Sequence, residues 1–112
     1  MYGIRNCDTV KKARAWLDAA GVRYAFHDYK VAGIDRARLA AWCDRLGWEA
    51  LLNRAGTTFR KLPPEEKEGL DREKALALML AQPSLIKRPV VELGERLIVG
   101  FKAPQYQSFD WR

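Results

Sequence analysis

Histidine occurs once and cysteine twice in these 112 residues, and those scarcities exclude several site chemistries at once. Two cysteines are too few for a disulfide scaffold, and Cys7 and Cys43 make neither a Cys-x-x-Cys pair nor a zinc-ligand spacing. No apolar run approaches the roughly 20 residues of a membrane-spanning helix. No charged-then-apolar signal segment opens the sequence, so a cytoplasmic protein without membrane association is the expectation. Internal repeats, low-complexity tracts and dividing linkers are lacking too, and one domain over residues 1–112 with a modest core is expected. Acidic residues are outnumbered, 14 against 20 basic, for a net charge of +6. The basic residues are spread along the whole chain without a recognition module. The excess is read as serving anionic small ligands and solubility, and nucleic acid is not expected as a partner.

What is present is concentrated at the start. Tyr2 to Ile4 reads as a very short strand that turns at Asn6-Cys7 and runs into an amphipathic helix. Val10, Ala13, Leu17 and Ala20 give that helix one apolar stripe, and Gly21 stops it. Cys7 therefore falls where strand becomes helix. Unpaired backbone N–H groups of the first turn and the helix dipole favour an anion there. A thiol so placed loses its proton more readily than a free one, and Lys11, Lys12 and Arg5 are expected to add positive field. Cys7 is the candidate nucleophile. Cys43 lies within the stripe Leu39, Trp42, Cys43, Leu46 and is expected to fill core.

Val22 to Tyr29 alternates, with Val22, Tyr24 and Phe26 on one side, which predicts a second strand and a βαβ unit. The single histidine, His27, points the other way along that strand and is expected to be structural or partly exposed. Residues 33 to 82 read as helical: Asp35 caps a helix closed by Gly47, Trp48 to Asn53 forms a short one, and Arg54 to Arg60 is loop or turn. Pro63-Pro64 makes a break, and Asp71 caps a helix to Ala81 whose apolar face is Ala75, Leu78 and Met79. Leu85 to Leu93 predicts a buried strand, Gly94-Glu95 a tight turn and Arg96 to Val99 the returning strand. A last short helix is expected over Lys102 to Phe109. The four tryptophans are read as core and cover.

The order β-α-β, helical insertion, β-β-α is that of a thioredoxin-like α/β fold, a mixed four-stranded sheet with flanking helices. In these features the chain resembles the arsenate reductase (ArsC)/Spx family. The resemblance rests on Asn6-Cys7 before a helix, Lys12-Ala-Arg-Ala-Trp-Leu17, Leu51-Leu-Asn-Arg54, and above all Pro83-Ser-Leu-Ile-Lys-Arg-Pro-Val-Val91 with Arg96-Leu-Ile-Val-Gly100. It implies Cys7 as the nucleophile and a cis proline, Pro89, facing it. It implies Arg88 near Cys7 gripping a carboxylate or oxyanion, and Arg54 as a second anion-binding arginine, with Arg60 as the substitute if the loop aligns differently. Asn6 and Pro89 would supply backbone to align an extended peptide.

Val10 stands where thioredoxins and the Spx redox switch carry a second cysteine, so no intramolecular dithiol cycle is available. An outside thiol, glutathione, is then the expected co-substrate, with no metal and no bound prosthetic group required. Glutaredoxin is a further possible partner, and a monomer is expected. The third arginine of the arsenate reductases falls here on Val99, with Lys102 as a point-charge substitute, and their histidine near the cysteine falls on Gly3. The expected activity is a glutathione-dependent thiol-disulfide reductase acting on a small thiol, disulfide or oxyanion substrate. Arsenate reduction is one alternative, and an Spx-like transcription regulator binding RNA polymerase is another.

Overall fold

The computed structural model describes residues 1–109 and 111. The chain forms two compact units, residues 1–32 with the segment from Arg88 onward, and Gly33–Lys87. The first holds a four-stranded sheet of order β2-β1-β3-β4, made of β1 (Tyr2–Gly3), β2 (His27–Asp28), β3 (Val90–Leu93) and β4 (Arg96–Val99). β1 runs parallel to β2, with Gly3 opposite Asp28, and antiparallel to β3, with Tyr2 opposite Val90. β3 and β4 form a hairpin in which Val91 faces Ile98, closed by Gly94 in the left-handed region at φ 61°. This is the thioredoxin-like arrangement that the element order predicts.

Helix α1 (Asp8–Ala19) lays Val10, Ala13 and Leu17, all at 0% exposure, on the sheet face carrying Val91 and Ile98. Helix α8 (Ala103–Ser108) adds Tyr106 to the same cluster. Burying one side chain the size of Leu17 is worth about 2 kcal/mol. Trp16 packs edge-on against Tyr106 at 5.5 Å, and the Trp111 indole donates to the Tyr106 carbonyl at 2.8 Å. Ala20, expected on the stripe, is exposed, because α1 has already ended at Ala19.

The expected second strand over Val22 to Tyr29 is a ladder only at His27–Asp28. Half-buried Val22, Tyr24 and Phe26 do alternate with exposed Arg23 and Ala25. Just ahead of the ladder, the Met1 amino group donates to the Ala25 carbonyl and the His27 amide donates to the Met1 carbonyl, at 2.8 Å each. Tyr29 leaves the strand altogether and opens the short helix α2 (Tyr29–Ala32). The Asp28 carboxylate causes this turn by accepting from the Lys30 amide at 2.9 Å, an Asx-type bond that competes with the ladder.

The second unit is helical, with α3 (Arg36–Leu46), α4 (Trp48–Leu51), α5 (Thr57–Arg60), α6 (Pro64–Lys67) and α7 (Arg72–Ala81). Asp35 caps α3 through the Arg38 amide, and Asp71 caps α7 through the Lys74 amide. Thr57–Arg60, expected as loop or turn, is a single helical turn closed by the Arg60 amide on the Gly56 carbonyl. On α7 the buried residues are Ala75, Leu76 and Met79; Leu78 is only half-buried. The strand expected from Leu85 begins at Val90. Pro83 starts a 3₁₀ turn to Leu85, and the backbone at Leu85 and Lys87 bonds instead to Asn53 and Leu51 at 2.7 Å each.

Candidate active site

Three chain corners meet at one end of the sheet. β1 and β2 are parallel and both end there, and antiparallel β3 starts there. The β1–α1 corner supplies Cys7, the β2–α2 corner supplies Tyr29, and the residues leading into β3 supply Arg88 and Pro89.

Cys7 is the N-cap residue of α1, in extended backbone conformation at φ −139°, ψ 126°, with its carbonyl accepting from the Lys11 amide at 2.9 Å. Its side chain is partly exposed, as a nucleophile requires. Arg88 donates from Nε to the Cys7 Sγ across 3.5 Å. Partial burial by itself pushes this thiol up. The Val10 amide, the Arg88 hydrogen bond and charge, and the Thr9 amide outweigh burial and hold it below the ordinary thiol value. The helix N-terminus thus acts through two named amides. Lys11, Lys12 and Arg5, expected to share that work, are exposed at the surface.

The Arg88–Pro89 peptide bond is cis, and Pro89 is buried. The Pro89 carbonyl accepts from the Gly100 amide at 2.8 Å, which anchors this turn to the end of β4. Asn6 is exposed in the bend just before Cys7.

Tyr29 was not legible as a site residue, yet it is 1% exposed and its hydroxyl accepts a hydrogen bond from Arg88. Burial pushes this phenol far up, so it stays neutral. Its position follows from Asp28, whose carboxylate also accepts from the Arg5 amide at 3.1 Å and so ties the β2–α2 corner to the segment before Cys7. An Asp-Tyr pair at a predicted strand end was the available signal.

Arg54 belongs to the helical unit, exposed, with its guanidinium 5.8 Å from the Trp48 ring centroid. Arg60 is exposed at the end of α5. Cys43 is a buried thiol of α3, pushed up by burial, as a core role requires. His27 is half-buried with its ring 5.0 Å from that of Tyr2. Val99 is occupied in the ladder opposite Val90, and Lys102 is exposed before α8. A methyl group at Gly3 would stand 3.0 Å from a Val10 methyl and 3.6 Å from the Phe26 ring, so that position has no room for a larger side chain as it stands. Among the described residues, no group of three His, Cys, Asp or Glu side chains gathers as a metal site.

A partly exposed thiol with lowered affinity for its proton and a guanidinium on its sulfur can attack a disulfide or oxyanion substrate and bind its negative charge. Known proteins are similar to this chain over nearly its whole length. An uncharacterized protein of Haemophilus influenzae is 40% identical over 108 residues, covering 96% of this chain and 95% of its own. The global transcriptional regulator Spx of Streptococcus mutans is 25% identical, covering 93% and 77%. Among solved structures, the YFFB protein is 62% identical with a TM-score of 0.92, covering 96% and 94%. An arsenate reductase (ArsC) related protein from Brucella melitensis is 55% identical with a TM-score of 0.79, covering 96% and 90%. Residues 2–109 match the ArsC family as a whole, and the chain belongs to that family.

Proposed function

We propose that this protein is a glutathione-dependent thiol-disulfide reductase with Cys7 as its single nucleophile. The observation that carries the reading is the Arg88 Nε–Cys7 Sγ contact at 3.5 Å, with fully buried Val10 where a resolving cysteine would stand. The Cys7 thiolate attacks a disulfide bonded to glutathione. A Cys7–glutathione disulfide forms, the old S–S bond breaks, and the other sulfur leaves as a thiolate. The thiolate of a second glutathione then attacks the glutathione sulfur, giving glutathione disulfide and freeing Cys7. Two electrons pass from glutathione to the substrate, and no metal or prosthetic group takes part. Arg88 lowers the charge cost of each thiolate. The backbone at Asn6 and Pro89 aligns the peptide.

The test is to incubate the reduced protein with glutathione disulfide, then with reduced glutathione. A single glutathione adduct on Cys7 by mass spectrometry, released by the second step and missing in Cys7→Ser, is expected. No adduct on Cys7 would sink the reading.

Reduction of arsenate is the second reading, favoured by the arsenate reductase related protein at 55% identity. Closed packing at Gly3 and the ladder position of Val99 count against it, because neither offers the polar group that an arsenate site of three guanidinium groups and a histidine needs. Arsenate-dependent consumption of glutathione, lost in Arg88→Ala, would favour it over the first.

A further inference from the structure

We infer that Tyr29 is a positioning residue whose hydroxyl holds the Arg88 guanidinium against the Cys7 sulfur; this rests on reading Cys7 as the nucleophile. The guanidinium is long-stemmed and rotatable, and one contact to sulfur leaves it free to swing about that contact. Tyr29 gives it a second, fixed point. The phenol is 1% exposed and delivered from a corner that Asp28 pins through the Arg5 and Lys30 amides at 3.1 and 2.9 Å. It therefore has no freedom to follow the arginine; the arginine must follow it. A guanidinium held by both the sulfur and the phenol has a set plane, which a planar fork needs in order to meet a ligand anion.

The hydroxyl is otherwise costly at this position. Phenylalanine would fill the same volume with no polar atom to satisfy in a buried place. A tyrosine here is explained by what its oxygen holds. The charged and titratable groups facing it are Arg88, Cys7 and Asp28.

The test combines Tyr29→Phe, Arg88→Ala and the double variant, reading the pH profile of Cys7 alkylation in each. Removing only the hydroxyl is expected to move the Tyr29→Phe profile to higher pH, toward that of Arg88→Ala, with the melting temperature little changed. The double variant should be no worse than Arg88→Ala, since both changes break one linkage. An unshifted Tyr29→Phe profile, or effects of the two changes that add in full, would overturn the inference. If Tyr29→Phe does not fold, NMR of the wild-type guanidinium decides. Slow rotation with resolved Arg88 Nη signals is expected, and fast-averaged signals would overturn it. A wild-type thiol with an ordinary alkylation profile would instead remove the nucleophile reading, and the inference with it.

Discussion

Arg88 Nε and Cys7 Sγ stand 3.5 Å apart, one at the entry to β3 and the other at the N-cap of α1. Each is ordinary alone. Together they make a thiol that gives up its proton more readily than usual and has a cation in place, without a histidine at the sulfur.

Arg88→Ala should therefore slow alkylation of Cys7 at neutral pH by about tenfold, the effect of losing roughly one charge-assisted hydrogen bond. Arg88→Lys should recover only part, because an ammonium cannot reproduce the planar fork. Stopped alkylation read by mass spectrometry checks both.

The two thiols should separate cleanly. Iodoacetamide at neutral pH is expected to modify Cys7 and spare Cys43, since Cys7 is held below the ordinary thiol value by amides and Arg88 against burial, while burial pushes Cys43 above it. The sign for stability follows. A depressed Cys7 contributes stability that is complete above the unfolded thiol value and fades as pH falls through the folded one. The urea midpoint of wild type relative to Cys7→Ser should accordingly rise as the pH climbs toward the unfolded thiol value of about 8.5, and level off above it. A constant gap would contradict it.

Val10→Cys installs a second thiol three residues after the first, on the buried face of α1. A cost of about 1 kcal/mol in stability is expected from the altered packing. On oxidation an internal disulfide between Cys7 and the introduced thiol should replace the glutathione adduct, visible as protein of reduced mass lacking bound glutathione. A persistent adduct would show that the first turn of α1 cannot close the bridge.

Gly3→Ala should lower the melting temperature by an amount equivalent to about 1–2 kcal/mol, since the new methyl stands 3.0 Å from a Val10 methyl, and Gly3→His should cost more. An unchanged melting temperature for Gly3→Ala would mean that Val10 yields freely.

The nucleophile was legible because its surroundings are local. A strand, a turn and a helix cap within some ten residues place Cys7, and the amides that act on it come from Thr9 and Val10. Arg88 and Pro89 were legible only through the motif around them, since nothing in their own neighbourhood points at residue 7. Tyr29 was hidden by alternation: the pattern from Val22 promised more strand, but the Asp28 carboxylate takes the Lys30 amide and turns the chain into α2 at Tyr29. In the same way Leu85 to Lys87 has strand-like composition yet directs its backbone bonds to Leu51 and Asn53. Which backbone lies alongside is a tertiary fact that side-chain periodicity does not carry.

Cys7 and Arg88 are 81 positions apart in the chain. The guanidinium follows the thiol only after all the residues between them have been made. β1 and β3 must also find each other over that separation before the pair can form, a contact whose loop-closure cost places it late in folding. Until then Cys7 lacks the Arg88 hydrogen bond and charge and has at most the local amides of Thr9 and Val10. The nucleophile is thus armed by completion of the fold, and an unfinished or unravelled chain carries a blunted thiol in place of a sharp one.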